Sequence, residues 1–270
     1  MNDADGKTIA PPAITVMSFN IRNGSADDGE NHWDNRKVFA VARIRACAPD
    51  LLGLQECRDD AQAAYIKDNL PEYHFHGTRR EGGDQTALEM APALFRAGVF
   101  QVEERGHFWL SETPAVVGSK NWGAAFARTV SWARLLHQPT GRVVTFANTH
   151  FDYRPVAVSA SARVLQRWLN EVPREGAVIV TGDFNADKDS SAYQLLTEGS
   201  QLRDAYREVH GGSADESSFH DYGRSTDPAP IDWILVSRHF AVADAQIDRT
   251  RNGALFPSDH FPVTAVLRWM

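Results

Sequence analysis

Val178-Ile179-Val180-Thr181-Gly182-Asp183-Phe184-Asn185 decides how this chain is read. Val178 to Thr181 is short, β-branched and uncharged, the composition of a buried strand. Gly182 ends the apolar run at a position where backbone can bend or approach another group closely. Asp183 and Asn185 follow, and on an extended chain residues two apart point to one face. A carboxylate that can take a proton or hold a metal then leaves the strand beside an amide that can donate to an anion. Alone, the triplet reads more readily as a Gly-Asp turn closed by Asn. Its meaning depends on what the other strands carry at their ends.

Outward from this stretch the same pattern repeats. Ile14 to Ile21 reads as a strand with Asn20 near its end and Arg22 two residues on. Leu51 to Gln55 is a second buried strand with Glu56 at its carboxyl end. Val130 to His137 and Arg142 to His150 flank Gln138-Pro139-Thr140-Gly141, a hairpin signal, and Asn148, His150 and Asp152 fall on one face. Ile231 to Val236 is a strand that carries Asp232 inside an apolar run, where a carboxylate must find a partner. Ser258-Asp259-His260 leads into the last strand, Val263 to Trp269. Shorter strands are expected over Tyr73 to Gly77, Ala93 to Arg96 and Val242 to Ile247, with one or two more over Phe100 to Leu110.

Helices alternate with these strands. Asp34 is placed to cap one that runs to about Cys47, Asp59 to Leu70 reads as a second, and Val156 to Val172 carries an apolar stripe. Tyr193 to Leu196 and Leu202 to Val209 read as short helices. Residues 1–12 are polar and read as a flexible tail, leaving 13–270 as one domain without repeat or linker.

Composition narrows the function classes. Hydrophobic residues make up 43% and charged residues 23% of the chain, ordinary for a globular protein. No apolar run approaches the ~18 residues of a membrane helix, and the N-terminus lacks signal-peptide blocks, so a cytoplasmic protein without membrane contact is expected. No obligate protein partner is evident. Cys47 and Cys57 are too few for a disulfide framework or a Cys-rich zinc site and read as buried small hydrophobes. The net charge of −7 supplies no general basic field for nucleic acid.

Asn20, Glu56, His150, Asp183 with Asn185, Asp232, and Asp259 with His260 form an oxygen-rich set with two imidazoles and no thiolate. Ligands of α/β sheets gather at the carboxyl ends of strands. Hard oxygens suit Mg²⁺ or Mn²⁺, and Mg²⁺ needs few carboxylates because it keeps waters and binds substrate phosphate. The implied chemistry is metal-assisted hydrolysis at phosphorus.

These pieces, in this order, resemble the endonuclease/exonuclease/phosphatase (DNase I-like) superfamily. The matching motifs are Ser18-Phe19-Asn20-Ile21-Arg22, Leu54-Gln55-Glu56, Asn148-Thr149-His150, Thr181 to Asn185, Ile231-Asp232-Trp233 and Ser258 to Val263. Phe108-Trp109-Leu110-Ser111 through Trp122 and Arg128 is similar to a bacterial branch near the deadenylase-type members. The resemblance implies an α/β four-layer sandwich of two packed, mostly antiparallel sheets flanked by helices. It implies Glu56 as metal ligand helped by Asn20, with Asp259 a second metal-side acid. It implies Asp183 as the base for the attacking water, and Asn185 with His150 as stabilisers of phosphoryl charge. His260 would bind the scissile phosphate, held charged by Asp232. Arg22 stands where abasic-site endonucleases carry an acid, which argues against that branch. Arg22, Arg80, Glu89 and Trp122 are the expected substrate-side residues. The expected activity is a metal-dependent phosphoesterase, of nuclease or phosphatase type, acting on a short single-stranded nucleic acid end or a small phosphorylated molecule. The alternative is a non-catalytic binding module that retains the fold.

Overall fold

A computed structural model describes residues 12–82, 87–173, 176–198, 200, 202–212, 215–226 and 229–270. Almost all of the expected N-terminal tail lies outside this range, as does Asp84 of the loop that follows Gly77. In chain order the elements are β1 (Ile14–Asn20), α1 (Trp33–Cys47), β2 (Leu51–Gln55), β3 (Cys57–Arg58), α2 (Ala61–Asn69), β4 (Tyr73–His76), β5 (Glu89–Met90), β6 (Ala93–Arg96) and β7 (Phe100–Trp109). There follow β8 (Thr129–His137), β9 (Arg142–His150), α3 (Pro155–Glu171), β10 (Ala177–Asp183), α4 (Ser191–Thr197), β11 (Leu202–Asp204), α5 (Ala205–His210), β12 (Asp232–Ser237), β13 (Phe240–Ile247) and β14 (Val263–Trp269).

Two six-stranded sheets result, ordered β13-β14-β1-β2-β6-β4 and β11-β12-β10-β9-β8-β7, with β3 and β5 as a separate pair. Only β1–β2 and β9–β10 run parallel; the other pairs are antiparallel. Three apolar clusters separate the layers. Ile14, Val16, Phe146, Ile179, Ile234 and Leu267 belong to the one between the sheets. Leu165, Leu169 and Leu196 join the outer face of the second sheet through α3 and α4. Val41, Ile44 and Ile66 join the outer face of the first through α1 and α2. The outcome is the expected four-layer sandwich.

The two sheets approach closely at Gly53 of β2. A Cβ on Gly53 would stand 2.1 Å from Thr181 Oγ1 and 2.3 Å from Asn148 Oδ1. No side chain fits there. Asn148 itself donates to the backbone of Leu54 and Pro92 and accepts from Gln55, so this amide bolts one sheet to the other.

Several boundaries differ from the sequence reading. β10 continues through Gly182 to Asp183, because it is hydrogen-bonded to β9 on one side and β12 on the other. Residues 202–209 are not one helix: Leu202–Asp204 pairs with β12, and the Asp204 side chain then caps α5. Helix α1 is capped by His32, whose ring accepts from the Asp34 N–H, rather than by Asp34. Cys57 is fully buried, whereas Cys47 is half-buried.

Candidate functional site

The ends of β9 and β10 and the loops after β1, after β2 and before β14 deliver polar residues to one open cleft of about 490 Å³, whose lining does not include Asn20 or Asp232. Arg22, Glu56, Arg80, Glu89, Arg128, His150, Asp183, Asn185, Asp259 and His260 all line it. Asn20, buried at the end of β1, donates one amide to two acids: Asp183 Oδ2 at 2.9 Å and Glu56 Oε1 at 3.1 Å. It thereby ties the first sheet to the second. Arg22, Glu56 and Asn185 all take left-handed backbone, at φ of 57°, 59° and 48°. For non-glycine residues this geometry is costly and is held only where surrounding contacts over-determine it. Arg36 supplies one such restraint. Fully buried, it donates to the carbonyls of Ile21, Arg22 and Pro257 and so fixes the turn after β1 against the loop before Asp259.

Left-handed Asn185 corrects the extended-chain argument for its meeting with Asp183. A turn brings them together, and the Asn185 N–H donates to Asp183 Oδ1 at 3.0 Å. The Asn185 amide reaches the Phe151 carbonyl at 2.9 Å and His150 Nε2 at 3.1 Å. With Nε2 accepting, the proton of neutral His150 sits on Nδ1, an atom without a hydrogen-bond partner that lies 3.8 Å from Glu89. Burial, Arg128, Arg80 and His260 all push the His150 imidazolium well below its ordinary range. A neutral ring is therefore the resting form.

His260 is the opposite case. Its Nδ1 lies 2.7 Å from Asp232 Oδ2, and its Nε2 lies 3.8 Å from Asp183 Oδ2. Burial opposes its charge, but Asp232, Asp183 and Asp259 outweigh burial and raise it to about 10. Asp232 thus has the partner its place in an apolar strand demands, and Ser218 Oγ donates to the same oxygen at 2.6 Å. Burial and the facing Asp232 push Asp183 up to about 7, against His260, Asn20 and the Asn185 N–H. A carboxyl with that value is half ionised at neutral pH and matched to taking a proton.

Two sets of groups can hold a cation. Asp183, Asp232 and His260 offer ligand atoms within 4.8 Å of one another. However, the imidazolium already bonds Asp232, and a charged ring has no lone pair to give. Glu56 with Asp259 is the better fit. Burial raises both carboxyls. For Glu56 the charge of Arg22 and the Asn23 N–H more than reverse this. Each Glu56 oxygen accepts a single hydrogen bond, from Asn20 or from the Asn23 N–H at 2.8 Å, which leaves lone pairs toward the cleft. The Arg22 guanidinium lies 3.6 Å from Asp259, 4.0 Å from Glu56 and 3.0 Å from Asp28, partly neutralising these acids. Such hard oxygen donors suit Mg²⁺ or Mn²⁺. Asn20 is already spent as a clamp between Glu56 and Asp183, and its Oδ1 accepts from the Arg22 N–H.

Trp122 is not among the residues that line the cleft. Its ring packs on the apolar cluster around α3, and its indole donates to Glu112 at 3.1 Å. The aromatic walls are instead Phe126, Tyr153 and Phe219, joined by Asn23. Loop aromatics carry no periodicity, so no sequence signal distinguished these from Trp122. Arg79 pairs with Asp59 at 2.9 Å and Arg251 lies over the Phe256 ring, so the cleft cations are Arg22, Arg80 and Arg128.

Among solved structures, an endonuclease/exonuclease/phosphatase from Bacteroides vulgatus is 31% identical, with a TM-score of 0.87 over 96% of this chain and 100% of that one. A mannosyl-6-phosphatase from Bacteroides thetaiotaomicron is also 31% identical, with a TM-score of 0.83 over 95% and 100%. The human Nocturnin catalytic domain, 22% identical, shares the fold at a TM-score of 0.77 over 97% and 95%. Residues 17–260 match the sequence model of the Endonuclease/Exonuclease/phosphatase family, and that stretch spans all six motifs except the last residues of the final one. The chain belongs to this family of phosphoester hydrolases.

Proposed function

We propose that the protein is a divalent-metal-dependent phosphoesterase whose substrate is a small phosphorylated molecule or a short single-stranded nucleic acid end. The observation that carries this reading is one cleft in which Asp183 lies 3.8 Å from the imidazole of His260, itself 2.7 Å from Asp232, with Glu56 and Asp259 in the same lining. Asp183 accepts the proton of a water as the water oxygen bonds to phosphorus and the ester P–O bond breaks. His260, charged by Asp232, would present Nε2–H toward the phosphoryl oxygens, a fixed donor in a buried site, where such stabilisation is largest; the buried Nδ1–H of neutral His150 faces Glu89. Asn185 acts by holding the His150 tautomer. Glu56 and Asp259 would hold Mg²⁺ or Mn²⁺, which when bound neutralises phosphoryl charge as a Lewis acid. The 31% identical mannosyl-6-phosphatase supports a small phosphorylated substrate.

The test is hydrolysis of an activated phosphodiester and an activated phosphomonoester, each with Mg²⁺ and with excess EDTA. Turnover that needs Mg²⁺ and falls by roughly two to four decades in Asp183→Asn is expected. Full activity in chelator would sink the metal dependence, and no turnover of any phosphoester would favour a binding module on this fold.

A further inference from the structure

Glu89 accepts hydrogen bonds from the guanidinium groups of both Arg80 and Arg128, the second at 3.2 Å. Both arginines are buried, and each leaves its Nε without a partner. They stack on one ring, with guanidinium carbons 4.1 Å and 5.3 Å from the centre of Phe126. Two buried cations therefore share one close carboxylate, with Glu81 and Glu56 attracting Arg80 from farther away. Asn23 also donates to Glu89, so one carboxylate serves three donors while each arginine keeps an unpartnered Nε. Burying guanidinium without a full complement of acceptors is expensive, and a fold keeps it where a ligand completes the set. The pair lines the same cleft as Asp183, and Glu89 and Asp183 face opposite ring nitrogens of His150. Arginine forks match phosphate and carboxylate, and the Phe126 face holds them in place.

We propose that Arg80 and Arg128, stacked on Phe126 and joined by Glu89, form a second anion subsite, so that the preferred substrate is a phosphoester with a further phosphate or carboxylate near the scissile group. The substrate class builds on the phosphoesterase reading; the subsite itself does not require turnover.

The experiment is calorimetric binding to the metal-free protein in EDTA. The probes are methylphosphonate, phosphonoacetate, methylenebisphosphonate and 1,3-propylenebisphosphonate. At least one doubly anionic probe should bind tenfold or more tightly than methylphosphonate, and which one does so separates carboxylate from phosphate. In Arg128→Met that advantage should fall to threefold or less while methylphosphonate affinity stays within threefold. Arg80→Met serves the same comparison if the first variant does not fold. Equal affinities in the wild type, or an advantage that survives in the folded variants, would make the cluster a structural staple and overturn the proposal. Retained discrimination without metal-dependent hydrolysis would overturn the phosphoesterase reading alone.

Discussion

Asp183 and Asp232 stand directly opposite each other on the antiparallel strands β10 and β12. Like charges in facing positions repel, and these two are buried. His260 reconciles them, bonded to Asp232 and aimed at Asp183. The three therefore form one electrostatic unit.

One consequence is that His260→Gln should damage both chemistry and fold. Turnover should fall about 10²–10³-fold. Stability should fall by up to about 3–5 kcal/mol, the range for breaking a buried charge pair. Asp232→Asn combined with His260→Gln should cost much less than the sum of the two. Kinetics and denaturant unfolding on the four-member cycle read this, and additive losses would show that the residues act separately.

Asp183→Asn should behave differently. Turnover should drop by roughly two to four decades, since the base is gone. Although Asp183 lies within the strand, the fold should tolerate the change: the facing repulsion disappears, and Asn20 can still donate to the new side-chain oxygen. The melting temperature should match or exceed the wild type. A clear drop would mean that the Asp183 charge stabilises the native state.

Gly53→Ala tests the closeness of the two sheets. A methyl group at 2.1 Å from Thr181 Oγ1 must push β2 away from β10. Overpacking of this kind costs about 1–3 kcal/mol. Because Glu56 follows β2 and Asp183 ends β10, activity should fall as well. A stable, fully active variant would show that the sheets can separate without disturbing the site.

Acid sensitivity should trace in part to a pair outside the cleft. His76 and His107 stack with centroids 4.1 Å apart. Burial holds both rings below the ordinary histidine value, and with His76 and Arg105 nearby His107 falls to about 4. Between about 4 and 6.5 the unfolded chain binds the extra proton, so this contribution is complete above pH 6.5 and is lost as pH falls toward 4. In His107→Gln the melting temperature should depend less on pH over that window. Parallel curves for wild type and variant would place the acid sensitivity elsewhere.

Much of this candidate site was legible because several of its residues interrupt or end an apolar run: Glu56 after Leu51–Gln55, Asp232 within its strand, Asp183 after Val178–Thr181. A polar group in such a place needs a reason, and the reasons converge when strands share a sheet end. Asp204 was misread because a three-residue strand cannot declare itself by periodicity, while the acid that ends it also caps a helix. Arg36 carried no local signal of its role: the carbonyls of Ile21, Arg22 and Pro257 that it binds come from loops distant in sequence. Trp122 failed for a related reason: the direction of an indole in a loop is set by tertiary contacts such as Glu112, which no local pattern encodes.

Substrate size follows from the same cleft. Proteins that grip duplex DNA meet many phosphates, and their affinity falls with salt at a slope of about −0.9 per phosphate neutralised. This chain has 28 basic against 35 acidic residues, and among the described residues only Arg22, Arg80 and Arg128 bring guanidinium to the cleft. Arg22 is already committed to Asp28 and Asp259. That leaves enough positive charge for one to three phosphates. Phe126 and Tyr153 can take a base or sugar ring, a contact indifferent to duplex geometry. Duplex DNA should therefore be a poor substrate beside a short single-stranded oligonucleotide or a small phosphoester, and the salt slope of kcat/KM should stay between about −1 and −3. Measuring kcat/KM for the three substrates at two salt concentrations decides it. A duplex preferred tenfold, with a slope well beyond −3, would require a basic surface larger than this cleft provides.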